Sequence, residues 1–170
     1  LDLADQRGFA TSLVARSDFA SRAAQEEVLA KQIEDAGADW ICLAGYMAVL
    51  SASFVDRFAG RIINIHPSLL PEYKGLDAHQ RVLEAGDAVH GATVHLVTPE
   101  LDDGPIILQA SLKVDRSDDA SSLAARVLTL EHLLYPFVIE SLATGVLRIE
   151  NGRVSWPNHR DALATTTLPI

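Results

Sequence analysis

Short apolar runs alternate with polar segments of helical length along the first half of the chain. Leu1 to Arg7 reads as the end of a helix closed by Gly8, and Phe9 to Val14 carries a short apolar segment. Ser17, Asp18 or Ser21 can cap the next helix, which runs to about Ala36 and stops at Gly37. Trp40-Ile41-Cys42-Leu43-Ala44 is almost continuously apolar, the pattern of a buried strand. Ser51-Ala52-Ser53 caps a short helix that ends near Gly60, and Arg61-Ile62-Ile63-Asn64-Ile65 is the strand after it. Strand, helix and strand in this order predict an α/β domain: a mostly parallel sheet, Rossmann-like, with helices on both faces and ligands at the carboxyl ends of its strands.

The second half has a different rhythm. A loop rich in Pro, Gly and Tyr fills His66 to about Ala78, followed by a helix from about His79 to Ala85. Ala92 to Thr98 then alternates, with Thr93, His95 and Val97 on one face, and Ile106 to Val114 reads as its antiparallel neighbour. The sheet therefore has an antiparallel edge in its C-terminal half. Ser117 to Ser122 caps a helix of about twenty residues whose apolar positions are Leu123, Val127, Leu130, Leu134 and Val138. Val146 to Ile149 and Arg153 to Trp156 flank the turn Asn151-Gly152 as two short strands, and the tail after Pro157 is irregular in the sequence. No repeat, low-complexity tract or linker interrupts the 170 residues, so a single domain is expected.

Composition narrows the function. The net charge of −9 and the lack of a basic stripe argue against a nucleic-acid partner. The one cysteine, Cys42, has no partner for an internal disulfide and points to a reducing, cytoplasmic setting. The longest mostly apolar stretches are too short to span a bilayer, and no leader pattern opens the chain, so no membrane is expected.

Chemistry concentrates in two loops. Asn64 and His66 are two residues apart on a strand and share one face, and Pro67 holds His66 extended. An amide and an imidazole side by side suit a developing oxyanion, and Asp102, in Leu101-Asp102-Asp103-Gly104-Pro105, could orient the ring and favour its charged form. On residue types alone an ordinary role serves equally well: His66 capping a loop, Asn64 satisfying backbone groups, Asp102 making a turn. His95 shares its face with Thr93 and Val97 and could line the cleft behind the first groups. His79, His90, His95, His132 and His159 form no metal-ligand run, so no metal site is expected. Neither a Gly-x-Ser-x-Gly elbow nor a plausible cysteine nucleophile is present.

Residues 64–71 (Asn-Ile-His-Pro-Ser-Leu-Leu-Pro), Tyr73-Lys74-Gly75-Leu76, His90-Gly91-Ala92-Thr93-Val94-His95, residues 101–105 and Glu131-His132-Leu133-Leu134-Tyr135-Pro136 resemble, in this order, the phosphoribosylglycinamide formyltransferases. The similarity runs through most of the chain. It implies transfer of a formyl group from the co-substrate 10-formyltetrahydrofolate to the amine of glycinamide ribonucleotide, a step of purine synthesis. Matched motif by motif, it implies that Asn64 and protonated His66 stabilise the tetrahedral intermediate while Asp102 tunes His66 and assists proton movement. The folate would be held by Met47, Ala48, Val49 and Leu50, by Asn64, and by Thr98, Pro99, Glu100, Leu101 and Asp102. Arg22 would meet its carboxylate end, and Glu131 would bind the amine substrate.

The family begins with a strand, a phosphate-binding loop and a helix, and the resemblance implies that this chain starts roughly forty residues into that pattern, beyond those elements. A sheet edge exposed in this way favours pairing with a second copy, as a homodimer. Two other readings are compatible with the motifs. One is a formyltetrahydrofolate deformylase, a hydrolase using a similar Asn, His and Asp set, although Pro-Ser-Leu-Leu-Pro and Lys-Gly-Leu fit the transferases better. The other is a folate-binding fragment with impaired catalysis. Formyltransferases acting on initiator tRNA share the His-x-Ser-Leu-Leu-Pro theme but carry an additional domain.

Overall fold

Two units make up the chain, Leu1–Asp39 and Trp40–Ile170, and the computed structural model describes residues 1–157 with the backbone of residues 167–169. In the first unit a short helix α1 (Asp2–Gln6) and a 3-10 turn (Arg16–Asp18) precede α2 (Arg22–Asp35). Of the candidate caps, Ser21 starts α2: its hydroxyl accepts from the Ala24 amide, which satisfies one of the first-turn donors. Lys31 and Asp35, one turn apart, form a solvent-exposed ion pair at 2.7 Å.

The second unit is organised by a sheet of order β1-β2-β3-β4-β7. Its strands are β1 (Ile41–Leu43), β2 (Ile62–His66), β3 (Val89–Leu96), β4 (Ile106–Lys113) and β7 (Thr167–Pro169), and a hairpin of β5 (Arg148–Glu150) and β6 (Arg153–Ser155) stands apart. The α/β class and the change from parallel to antiparallel pairing are those expected from the sequence. Within the class, parallel pairing is confined to β1 with β2 and β4 with β7, and β2, β3 and β4 pair antiparallel. The tail is not irregular throughout: Thr167–Pro169 runs beside β4, whose outer edge offers unpaired backbone groups. Residues 158–166 and 170 lie outside the described residues. Cys42 is also a correction, because it is exposed rather than buried. Among the described residues β1 has a neighbour on one side only.

Among the described residues three helices complete the unit: α3 (Ala52–Arg57), capped by Ser51, α4 (Ala78–Ala85) and α5 (Ala120–Ala143). Asp119 and Ser122 cap α5 reciprocally, each side chain taking up the other's backbone amide. Leu123, Val127, Leu130, Leu134 and Val138 fall on the α5 stripe that is buried, and the helix packs on β3 and β4. At 24 residues α5 is long and apolar enough to cross a membrane by length and composition, contrary to the expectation that no stretch is. Its Glu131 and His132 break a strict apolar count, and its stripe of core contacts is what a sheet-covering helix needs. Tyr135 ties it to the centre by donating its hydroxyl to the Ile63 carbonyl at 3.1 Å.

Candidate active site

Antiparallel register sets Asn64 opposite His95 and His66 opposite Thr93, so the period of two puts all four side chains on one face of the sheet. His95 is 2% exposed, and its Nδ1 donates to the Leu96 carbonyl at 2.8 Å. In the neutral ring Nε2 is then the acceptor, and Asn64 Nδ2 donates to it at 3.2 Å. Burial pushes His95 down from its ordinary value, against the Leu96 carbonyl and Asp102, which favour charge. A neutral His95 thus fixes the Asn64 amide with its nitrogen toward the ring.

His66 ends β2 and is 6% exposed. Its Nε2 donates to the Tyr73 carbonyl at 3.0 Å, and Nδ1 faces Asp102 Oδ2 at 3.4 Å. Both ring nitrogens therefore meet acceptors, an arrangement that a doubly protonated imidazole satisfies. Asp102 arrives on the loop between β3 and β4. A bulge shifts the register between Val94 and His95, and the Gly104 backbone lies so close to the Leu96 carbonyl that a Cβ there would sit 1.9 Å from its oxygen. Asp102 itself is left-handed at φ 48. Its Oδ2 accepts from the Gly75 amide at 2.9 Å, while Oδ1 stands 3.7 Å from His95 Nε2, beyond hydrogen-bond reach.

Beside these groups a cleft of about 80 Å³ is walled by Leu43, Leu50, Val55 and Val97, with Asn64, His95 and Asp102 at its polar side. Ala48, Val49, Thr98, Pro99, Glu100 and Leu101 also line it. Of the residues matched to folate, Met47 stands outside the lining and is 76% exposed. Arg22 is the first residue of α2 in the other unit. Glu131 lies part-buried on α5, away from the lining, where loss of hydration raises its carboxyl above the usual range. Cys42 faces the Tyr135 hydroxyl, and desolvation pushes its thiol up, which disfavours the nucleophilic thiolate. Among the described residues no group of three or more His, Cys, Asp or Glu could hold a metal ion.

Three features escape sequence reasoning. The Tyr73 carbonyl reaches His66 because Tyr73 is left-handed at φ 55, which nothing in its residue type announces. Thr93, fully buried, donates to the Ser68 carbonyl at 2.6 Å and accepts from the Leu70 amide at 3.1 Å and from Gln109 Nε2 at 2.8 Å. It thereby anchors the loop after His66 to β3. His79 Nδ1 and His90 Nε2 are 3.0 Å apart, and only their positions, in the first turn of α4 and near the start of β3, could have suggested the pairing.

Residues 1–139 match the formyl transferase family. The chain belongs to the formyl transferase family. The match spans Asn64, His66, Asp102, the cleft and Glu131, so every sequence-predicted site residue lies within it. In this formyl transferase 149 residues, 88% of the chain, are 48% identical to phosphoribosylglycinamide formyltransferase of Escherichia coli (strain K12), covering 70% of that protein. The similarity to the trifunctional purine biosynthetic protein adenosine-3 of Bos taurus is 41% identity over 92% of the chain, which spans 16% of that much longer protein. The phosphoribosylglycinamide formyltransferase of Coxiella burnetii, a solved structure, superposes with a TM-score of 0.85 at 42% identity, over 91% of this chain and 73% of that one.

Proposed function

We propose that this chain carries the formyl-transfer centre of a phosphoribosylglycinamide formyltransferase, moving a formyl group from 10-formyltetrahydrofolate to the amine of glycinamide ribonucleotide. The observation that carries the reading is the convergence of an oriented amide, an imidazole between two acceptors and a part-buried carboxylate beside an apolar cleft. The enclosed part of the cleft takes the formyl group and the adjoining edge of the folate ring, whose polar atoms are read by the backbone of residues 47–50 and 98–101. The remainder of the donor lies in the open part, with Arg22 assigned to its carboxylate end and Glu131 to the amine substrate by family position.

In the reaction the substrate amine attacks the formyl carbon and the carbonyl oxygen becomes an oxyanion. Asn64, which lines the cleft, donates to that oxygen and contributes about 3 kcal/mol, while protonated His66, its ring nitrogens held by the Tyr73 carbonyl and Asp102, stabilises it as a nearby positive charge. Collapse breaks the bond from the formyl carbon to the folate nitrogen, and the proton lost by the amine passes to that nitrogen. Asp102 holds His66 through Nδ1 and assists this transfer, directly or through a water.

His66→Ala and Asp102→Asn test the reading. Each should fold normally and lose formyl transfer by about 100-fold or more. Wild-type rates in either purified variant would remove the assignment. Measuring donor hydrolysis without the amine substrate distinguishes a hydrolase, and donor binding without either reaction distinguishes a folate-binding fragment.

A further inference from the structure

The loop from Pro67 to Asp77 forms a strap over the end of β2, and its two sides are held differently. Toward α4, Arg81 donates to the Lys74 carbonyl at 2.7 Å, its guanidinium stands 5.3 Å from the Tyr73 ring, and the Tyr73 hydroxyl reaches Asp87 at 2.5 Å. Toward the cleft, polar contacts form between neighbouring residues on both loops: the Gly75 amide donates to Asp102 Oδ2 at 2.9 Å, and the Lys74 ammonium pairs with the Asp103 carboxylate. The Oδ2 that accepts from Gly75 is also the oxygen that faces His66.

The strap does not hold this shape by backbone preference. Tyr73, Gly75 and Asp77 all have positive φ, at 55, 78 and 56, and for the two that are not glycine this conformation is unfavourable and persists where surrounding contacts impose it. On the cleft side the Gly75 hydrogen bond is a single neutral donor, and the charged contact beside it belongs to Lys74. Without that ammonium, Asp102 and Asp103 would place two carboxylates against the strap with no cation paired to the second.

We propose that Lys74 and Asp103 are a latch: a pair of positioning residues that keeps the strap closed on Asp102 and so sets the carboxylate that His66 meets during formyl transfer. The proposal rests on the formyl-transfer reading for its effect on rate. Neither residue touches the reacting atoms; both act through Gly75 and Asp102. The side chains are 34% and 56% exposed, so the pair is screened by solvent and shifts the ratio of closed to open strap by only about two- to fivefold.

Four purified variants test the latch: Lys74→Met, Asp103→Asn, the two combined, and the reversed pair Lys74→Asp with Asp103→Lys. Amide exchange of Gly75 is read without substrates, and kcat and KM for formyl transfer are read at low and high salt. The latch requires each single variant to speed Gly75 exchange and to lower kcat by factors whose product is about two- to fivefold, most of the change falling on exchange where the closed strap predominates. It also requires that the double variant be no worse than the poorer single one, that the reversed pair recover most of the loss, and that high salt erase the wild-type advantage. Unchanged Gly75 exchange in both single variants, or losses that multiply in the double variant, would overturn it. If the wild type transferred no formyl group, the formyl-transfer reading would fail, and the exchange results alone would decide whether the latch exists.

Discussion

Acid should weaken the fold through His90, and the size of the effect follows from where the ring lies. His90 is 1% exposed, on β3, with Nε2 against His79 Nδ1. Burial, followed by the charges His79 and His66 carry when protonated, pushes it down from 6.5 to about 4, with Asp87 opposing. The unfolded chain takes up the proton near the ordinary value while the folded chain resists it, so between the two values the unfolded state binds more protons. Stability is therefore complete above 6.5, declines as the pH falls toward 4, and declines no further through this group below that. The whole shift corresponds to about 3 kcal/mol, of which about 2 kcal/mol is gone at pH 5. His79 is lowered as well, by burial first and then by His66, and adds a loss of the same sign. In His90→Gln an amide still meets His79 but cannot titrate. Urea unfolding of both proteins at pH 7.5 and pH 5 is the assay. The wild type should lose about 2 kcal/mol more than the variant between these two conditions. Equal losses would refute the buried, proton-resisting ring.

Two further substitutions probe how the loops are held. Thr93→Val keeps the shape of a residue with no exposed surface but removes the partner of the Ser68 carbonyl, the Leu70 amide and Gln109. It should cost about 3 kcal/mol, read as a fall in Tm of about 6–12 °C; a change within 2 °C, roughly the shift expected from 1 kcal/mol, would show that the network contributes little. Gly104→Ala places a methyl carbon 1.9 Å from the Leu96 carbonyl oxygen, so the loop carrying Asp102 has to move. The expectation is a stability loss of about 1–3 kcal/mol with formyl transfer reduced about 100-fold, and full activity would show that Asp102 tolerates displacement.

What could be read in the sequence was local. The alternation in β2 was enough to put Asn64 and His66 on one face, because a strand has a period of two whatever surrounds it. Hydroxyl and carboxyl residues before helical runs marked the cap at Ser51, included Ser21 among three candidates for α2, and narrowed that of α5 to residues 117–122, where Asp119 serves. The stripe of α5 was legible for the same reason: its five apolar positions return every three or four residues. What was not legible depends on contacts between distant segments. Cys42 has the neighbours of a buried strand, yet β1 has one strand beside it among the described residues. Parallel or antiparallel pairing is a property of two segments, so the strand-helix-strand rhythm overstated the parallel part. The Tyr73 carbonyl and the Gly75 amide enter the site as backbone groups, which every residue carries and no motif distinguishes.

The four histidines gathered around the end of β2 differ in what their nitrogens meet, and that difference assigns their roles. His79 and His90 meet each other, and His95 meets the Leu96 carbonyl and the Asn64 amide. Burial pushes all three away from the charged form. His66 alone among them has an acceptor on each ring nitrogen, one a carboxylate at 3.4 Å. Positive charge on His66 would also disfavour charge on the other three. Under the proposed mechanism that ring lies two residues along the strand from the amide that shares the oxyanion, and its neighbours stay neutral. Burial favours the neutral form of His95, in which it accepts from Asn64 and, under the proposed mechanism, holds that amide for the developing oxygen.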